Sequence, residues 1–418
     1  MSYHPLFDSV AVALLSIASL AFTKPSSGQR VGCLAVLSLL TWHCVVTCPT
    51  YINRSSWAAS VGGYTLGLLF HYLDVGVLSR WNFELQGPVK DLAKGPLTRH
   101  AKNRAAGKLA TTRQKDSRFS FLARLKFGFL VFCSWRFIDT PYQVRNVPVL
   151  GENMRRSRTA FLMHTGTTIA VCYLLLDGMH LSQDPQIAEK FFSVEKAGLF
   201  SRLHSVTLEE LSIRFFAALA LGVSLVSVQR GVYSILSFVC VGLGISDPEQ
   251  WPPFNGNISE ACCLRKFWSS FWHQMNTHRL LSVANFLLYE VLRVPPAFKG
   301  STAEKFLGAW MVFFVSGIFH IGLDVSAGIP ATESGALAFF LIQPLGIVME
   351  DLIKLATEPL FKRFPFPNFT NRCLGALWVS LWMAWTAPWY MYPILGKGSG
   401  DDGVIPVSII LYTKRLLN

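Results

Sequence analysis

The stretch MVFFVSGIFHIGLD, residues 311–324, decides how this chain is read. From 306 to 323 every residue except Ser316 and His320 is apolar, aromatic or glycine. A run of that length and character predicts a membrane-spanning helix. An ionisable imidazole inside such a helix is costly unless it faces a partner or a cavity, so His320 is a candidate functional residue from the outset.

Working outward, the same character recurs along most of the 418 residues, of which 51% are hydrophobic, 13% aromatic and only 15% charged. Apolar runs stand at 10–22, 31–48, 57–78, 119–135, 159–179, 215–228, 231–245, 280–292, 306–323, 336–353, 373–395 and 404–412. Several fall short of the roughly 20 residues that a crossing needs. The expectation is an all-α polytopic integral membrane protein with eight to ten transmembrane helices, the remaining segments being interfacial or re-entrant. The first run follows MSYHPLFDS, which lacks a basic leader, and is expected to be a retained span. Residues 1–418 read as a single domain without an internal repeat.

The net charge of +13 is concentrated. Between Arg80 and Arg118 ten Lys and Arg face only Glu84, Asp91 and Asp116, a local excess of +7. In a polytopic chain this marks 79–118 as a cytosolic loop, drawn in addition to anionic lipid headgroups; no nucleic-acid partner is expected. The nine cysteines include no C-x-x-C pair, and neither a zinc site nor a disulfide framework is indicated.

The most informative polar segment is 247–279, DPEQWPPFNGNISEACCLRKFWSSFWHQMNTHR. After a Pro/Gly/Asn-rich turn, Leu264, Phe267, Trp268, Phe271, Trp272 and Met275 recur at helical spacing. Arg265, Ser269, His273 and Asn276 do the same on a neighbouring face. An amphipathic interfacial helix is predicted, its aromatics in lipid or core and its polar face toward a chamber. On the spanning helix, Ser316 and Asp324 stand one turn either side of His320. A carboxylate at i+4 can orient an imidazole that accepts a proton, and a histidine base in a dry site suits removal of a proton from an alcohol that attacks an activated acyl group. A same-helix Ser316 is too constrained to complete a hydrolase-type triad. Two other readings stay open at this point: a transporter with His320 and Asp324 as a proton relay, and a membrane scaffold whose histidines are structural.

The segment WPPFNGNISEACCLRKFWSSFWHQ followed by SGIFHIG resembles the fungal wax-synthase-like branch of the membrane-bound O-acyltransferases. WRFIDTPYQVRNVP, residues 135–148, is similar to a third motif of that branch, although Phe137 and Asp139 stand where glycines are usual and Tyr142 replaces tryptophan. The resemblance implies many helices around a central chamber and transfer of an acyl group from coenzyme A to a hydroxyl. The acceptor it implies is a terpenoid or meroterpenoid secondary metabolite, with wax-ester synthesis on a long-chain alcohol as the alternative. It places the catalytic histidine at His320 and the second motif position at His273, which would position the thioester. Asn276, Gln274, Asp324 and Trp272 are candidate substrate contacts. Acyl-CoA serves as co-substrate with no permanently bound cofactor, since a thioester needs no further activation. The partners implied are acyl-CoA, a hydroxylated lipophilic small molecule and membrane lipid, in a multi-pass protein of the endoplasmic reticulum.

Overall fold

The computed structural model describes residues 3–93, 121–295, 298, 300–363, 367–396 and 403–417. The greater part of the basic 79–118 loop, from residue 94 on, lies outside them. Eleven principal helices carry the described chain: α1 Leu6–Phe22, α2 Gly28–Tyr51, α3 Ser55–Tyr72, α4 Phe121–Cys133, α5 Arg158–Leu181, α6 Leu208–Gly242, α7 Thr277–Phe286, α8 Thr302–Ser326, α9 Ala336–Arg363, α10 Asn368–Leu395 and α11 Ile409–Leu417. Among the described residues the only sheet is a two-residue antiparallel ribbon, Trp81–Asn82 against Gly87–Pro88. The fold is all-α and polytopic.

Six of these helical segments are long and apolar enough to cross a membrane: Gly28–Tyr51, Ser55–Leu78, Arg158–Leu181, Leu208–Gly242, Thr302–Ser326 and Ala336–Pro359. Helix α1 is apolar but has 17 residues, and the 28-residue α10 is diluted by Trp378, Trp382, Trp385, Trp389, Tyr390 and Tyr392. One expectation is corrected. The runs 215–228 and 231–245 are not two spans, because α6 passes through Gln229 and Arg230 unbroken for 35 residues. No proline interrupts it, and polar side chains alone do not end a helix. At ~1.5 Å per residue it is about 50 Å long, well beyond the hydrocarbon thickness.

The chain folds as two compact units, each assembled from separated stretches of sequence. The first comprises 1–53, 58–144 and 275–328, and so holds α1, α2, most of α3, α4, α7 and α8. Its helix α8 begins at a built cap: Ser301 Oγ accepts from Glu304 N–H (3.1 Å), and the Glu304 carboxylate reaches back to Gly300 N–H (2.5 Å). It ends at Gly328, whose φ of +81° is the left-handed turn that stops a helix. Between these points α8 lies against α3 through small residues. A Cβ at Gly62 would collide with Ser326, one at Gly63 would stand 2.8 Å from Leu323 Cγ, and one at Gly322 would stand 2.6 Å from Leu66 Cδ2. Such close backbone approach is what secures helices where lipid supplies no hydrophobic drive between them. After Tyr72 the chain widens into a π-type turn, Leu73–Leu78. The buried Arg30 donates to Gly76 O (3.1 Å) and to Trp81 O (2.9 Å), satisfying carbonyls at and beyond that turn.

The second unit comprises 54–57, 145–274 and 329–418. Helices α5 and α10 both pack on α6. Near the start of α6 the buried Glu210 carboxylate pairs with Arg202 (2.9 Å) and Arg214 (3.7 Å), and Arg214 also donates to the carbonyls of Lys196 and Ala197 (2.6 Å each). That network satisfies a buried guanidinium with an anion and two carbonyls.

Candidate active site

His320 occupies the second-last turn of α8, two residues before the glycine that lets α3 approach. Its Nδ1 lies 2.7 Å from the Ser316 carbonyl oxygen. A carbonyl only accepts, so Nδ1 carries the proton and the lone pair of the neutral ring sits on Nε2. In this tautomer the ring can accept a proton at Nε2. The acceptor expected at Asp324 is thus supplied at this nitrogen by Ser316, one turn earlier, through its main chain. Ser316 Oγ is more distant at 3.5 Å. Asp324 is buried on the same helix face.

The second motif is built differently from its sequence-based expectation. Residues 259–276 do not form one amphipathic helix. A single α-turn, Leu264–Lys266, runs into a π-type turn, Phe267–Phe271, and the chain becomes extended at Trp272 (ψ 150°). The cause is visible at the carbonyls of that turn. Asn146 Nδ2 donates to Ser269 O (3.0 Å), Gln274 Nε2 to Ser270 O (2.9 Å) and Gly256 N–H to Phe271 O (2.9 Å). Competing donors therefore take the groups that a continuing helix would use. Phe271 is buried and the other aromatics are half-buried: Trp268 meets Phe339 and Phe340 of α9 and donates to Gln343 Oε1 (3.3 Å), while Phe267 stacks near Trp272.

The helical spacing therefore does not group Arg265, Ser269, His273 and Asn276. Arg265 pairs with Asp351 at 2.5 Å. The ring of His273 lies between Trp272 and Phe254, with centroids 5.4 Å from each. Gln274, buried, donates its amide N–H groups to the Ser270 and Trp272 carbonyls. Trp272, His273 and Gln274 belong to the second unit; Asn276, His320 and Asp324 belong to the first.

The first unit also holds a buried polar cluster that the sequence reading passed over. His278 Nδ1 donates to Asp74 Oδ2 (2.5 Å), and Ser79 Oγ donates to Asp74 Oδ1 (2.7 Å). Arg279 donates through NH1 to Gly67 O (2.7 Å) and through Nε to Asn276 Oδ1 (3.1 Å), while its NH2 bonds the same amide oxygen. Its guanidinium lies 4.1 Å from the centre of the Trp135 ring. Burial draws its pKa down to about 9, opposed chiefly by the Asp74 charge, and it remains protonated at neutral pH. The signal was present: Asp74 is the one acid inside the run 57–78.

The third motif closes over this cluster. Phe137 (φ 49°) and Asp139 (φ 57°) both take left-handed conformations, the geometry for which glycine is the default. The left-handed turn is thus built here without glycine at either position. The Phe137 ring stacks on Trp81 at 4.6 Å and meets His278 at 4.5 Å. Among the described residues no group of three or more His, Cys, Asp or Glu side chains is placed to hold a metal ion.

Comparison with known proteins bears on the family of the chain. The profile of the membrane bound O-acyl transferase family matches residues 251–342, which include the aromatic turn and α8. The acetyltransferase aurG of Calcarisporium arbuscula is 32% identical over 396 residues, covering 93% of this chain and 92% of the relative. The acetyltransferase fsoF of Humicola fuscoatra is 31% identical over 86% of this chain and 88% of its own length. The acetyltransferase TRI7 of Fusarium sporotrichioides is 28% identical over 66% and 65%. No solved structure matches.

Proposed function

The chain belongs to the membrane bound O-acyl transferase family and is an O-acyltransferase, and from that premise we propose that it acetylates a hydroxyl of a lipophilic terpenoid or meroterpenoid, using acetyl-CoA as donor and His320 as general base. The observation that carries the base assignment is the bond from His320 Nδ1 to the Ser316 carbonyl, which leaves the lone pair on Nε2. Nε2 takes the proton of the acceptor hydroxyl as its oxygen bonds to the thioester carbon. The carbonyl π pair moves to oxygen, then returns as the C–S bond breaks. The departing thiolate recovers the proton from the imidazolium, so ester and free coenzyme A are the only products.

The acetyl donor is supported by relatives that are named acetyltransferases. The terpenoid acceptor is supported by the motif resemblance. His273 remains a proposed contact of the acyl donor, the endoplasmic reticulum is the proposed membrane, and the cytosolic side proposed for residues 80–118 rests on the charge of that loop. The test is to incubate membranes carrying the protein with labelled acetyl-CoA and a panel of hydroxylated terpenoids. The expected result is an acetyl ester that His320→Ala fails to make, at unchanged membrane abundance, with a loss of about 10²–10⁴ in rate. An ester formed by His320→Ala at the wild-type rate would refute the base assignment.

A further inference from the structure

Asn276 stands at the N-cap of α7, where asparagine ordinarily caps, yet its side chain makes no capping bond. Its oxygen is turned instead onto Arg279, which addresses it with Nε and NH2 together. Arg279 is itself held from two other directions, by the Gly67 carbonyl and by the face of Trp135. Gly67 packs against this pair: a Cβ there would make ordinary van der Waals contact, 3.4 Å from Arg279 NH1 and 3.6 Å from the Trp135 ring edge. A buried arginine has thus been given a three-sided mount, and the residue it grips is half-buried and one turn away.

Two consequences follow from elementary chemistry. With Oδ1 fixed on the guanidinium, the amide orientation is settled, and the group it presents elsewhere is the Nδ2 donor. A cation bonded to an amide oxygen also withdraws electron density from the nitrogen, so those N–H groups become stronger donors. A polarised, pre-oriented donor is the equipment that a carbonyl oxygen acquiring negative charge needs. Resting on the acyl-transfer reading above, we propose that Asn276 Nδ2 donates a hydrogen bond to the thioester oxygen as it becomes the tetrahedral oxyanion, and that Arg279 is the positioning residue that aims and polarises it. The donor gives no proton away. It follows the C=O electron pair onto oxygen and releases it when the C–S bond breaks.

The test compares Asn276→Asp, Arg279→Lys and His320→Ala in full-length protein, with acetyl-CoA and the acceptor identified by the terpenoid panel. Asn276→Asp keeps an oxygen for Arg279, so folding and membrane yield should persist while the donor is gone. The expected result is a fall of about 10²–10³ in kcat with little change in KM for acetyl-CoA. Arg279→Lys keeps the charge but not the fork, and kcat should fall about tenfold, again without a matching change in KM. A kcat within threefold of wild type for Asn276→Asp, while His320→Ala is inert, would overturn this inference and leave the base assignment standing. Losses that track the amount of folded protein, with kcat per folded molecule unchanged, would assign both residues to structure alone and overturn it as well. An active His320→Ala would instead overturn the reading on which it rests.

Discussion

Gly256→Ala should be far more damaging than one methyl group suggests. The loop carrying Gly256 lies directly on the main chain of the aromatic turn. A Cβ at 256 would overlap the Ser270 carbonyl oxygen and stand 2.9 Å from Ser270 C and 3.1 Å from Phe271 Cα. All three are backbone atoms, so no side chain can rotate out of the way. The loop must retreat, and with it goes the bond from Gly256 N–H to Phe271 O, 2.9 Å long. Losing this bond and leaving the partly enclosed carbonyl unsatisfied costs about 1–3 kcal/mol. Activity should fall too, because the displaced turn carries Trp272 and His273 on its end. Gly308→Ala is the control: a Cβ there meets nothing within 4 Å, and inside α8 alanine should be neutral or stabilising by up to ~1 kcal/mol. Thermal unfolding of detergent-purified variants, followed by size-exclusion chromatography, reports the first effect, and acetyl transfer reports the second. If Gly256→Ala melts and turns over like Gly308→Ala, the loop does not rest on the turn as described.

Three further outcomes are expected. His273→Asn should retain appreciable turnover and His273→Ala should not, if the ring serves as a hydrogen-bonding group; steady-state rates at saturating donor and acceptor decide, and equal severe losses would show a proton-transfer role instead. Gly322→Leu should drive α8 off Leu66 and abolish acetyl transfer from the His320 turn, whereas Gly178→Ala, where a Cβ meets nothing, should leave it intact; initial rates at matched expression compare them. A protease site placed near Lys108, outside the described residues, should be cut in sealed microsomes without detergent, and protection would reverse the orientation.

What could be read from the sequence divides along a physical line. The span holding His320 was legible because a run of eighteen residues of which sixteen are fit for lipid leaves little choice of structure, and a lone imidazole in it stands out. The proton-relay alternative was equally compatible with that span, and only the relatives separate it from acyl transfer. The aromatic turn was misread for a specific reason. Periodicity at 3.6 residues describes which side chains can share a face, but not whether other donors compete for the carbonyls beneath them. Asn146, Gln274 and Gly256 do compete, from positions far in sequence or carrying no periodic signal. The Asp74–His278–Arg279 cluster was hidden for a third reason. Its members come from the end of one span and the start of another helix some 200 residues later, and of the three only Asp74, an acid inside an apolar run, stands out alone. One clue did lie in the sequence: Phe137 and Asp139 replace glycines in a turn that still needs left-handed backbone. Holding a bulky ring at positive φ is unfavourable for a phenylalanine, by roughly 1–3 kcal/mol. Burial of that ring between Trp81 and His278 offsets the strain. Replacing Phe137 with glycine should therefore relax the backbone while uncovering the cluster, so its effect on activity should exceed its effect on stability.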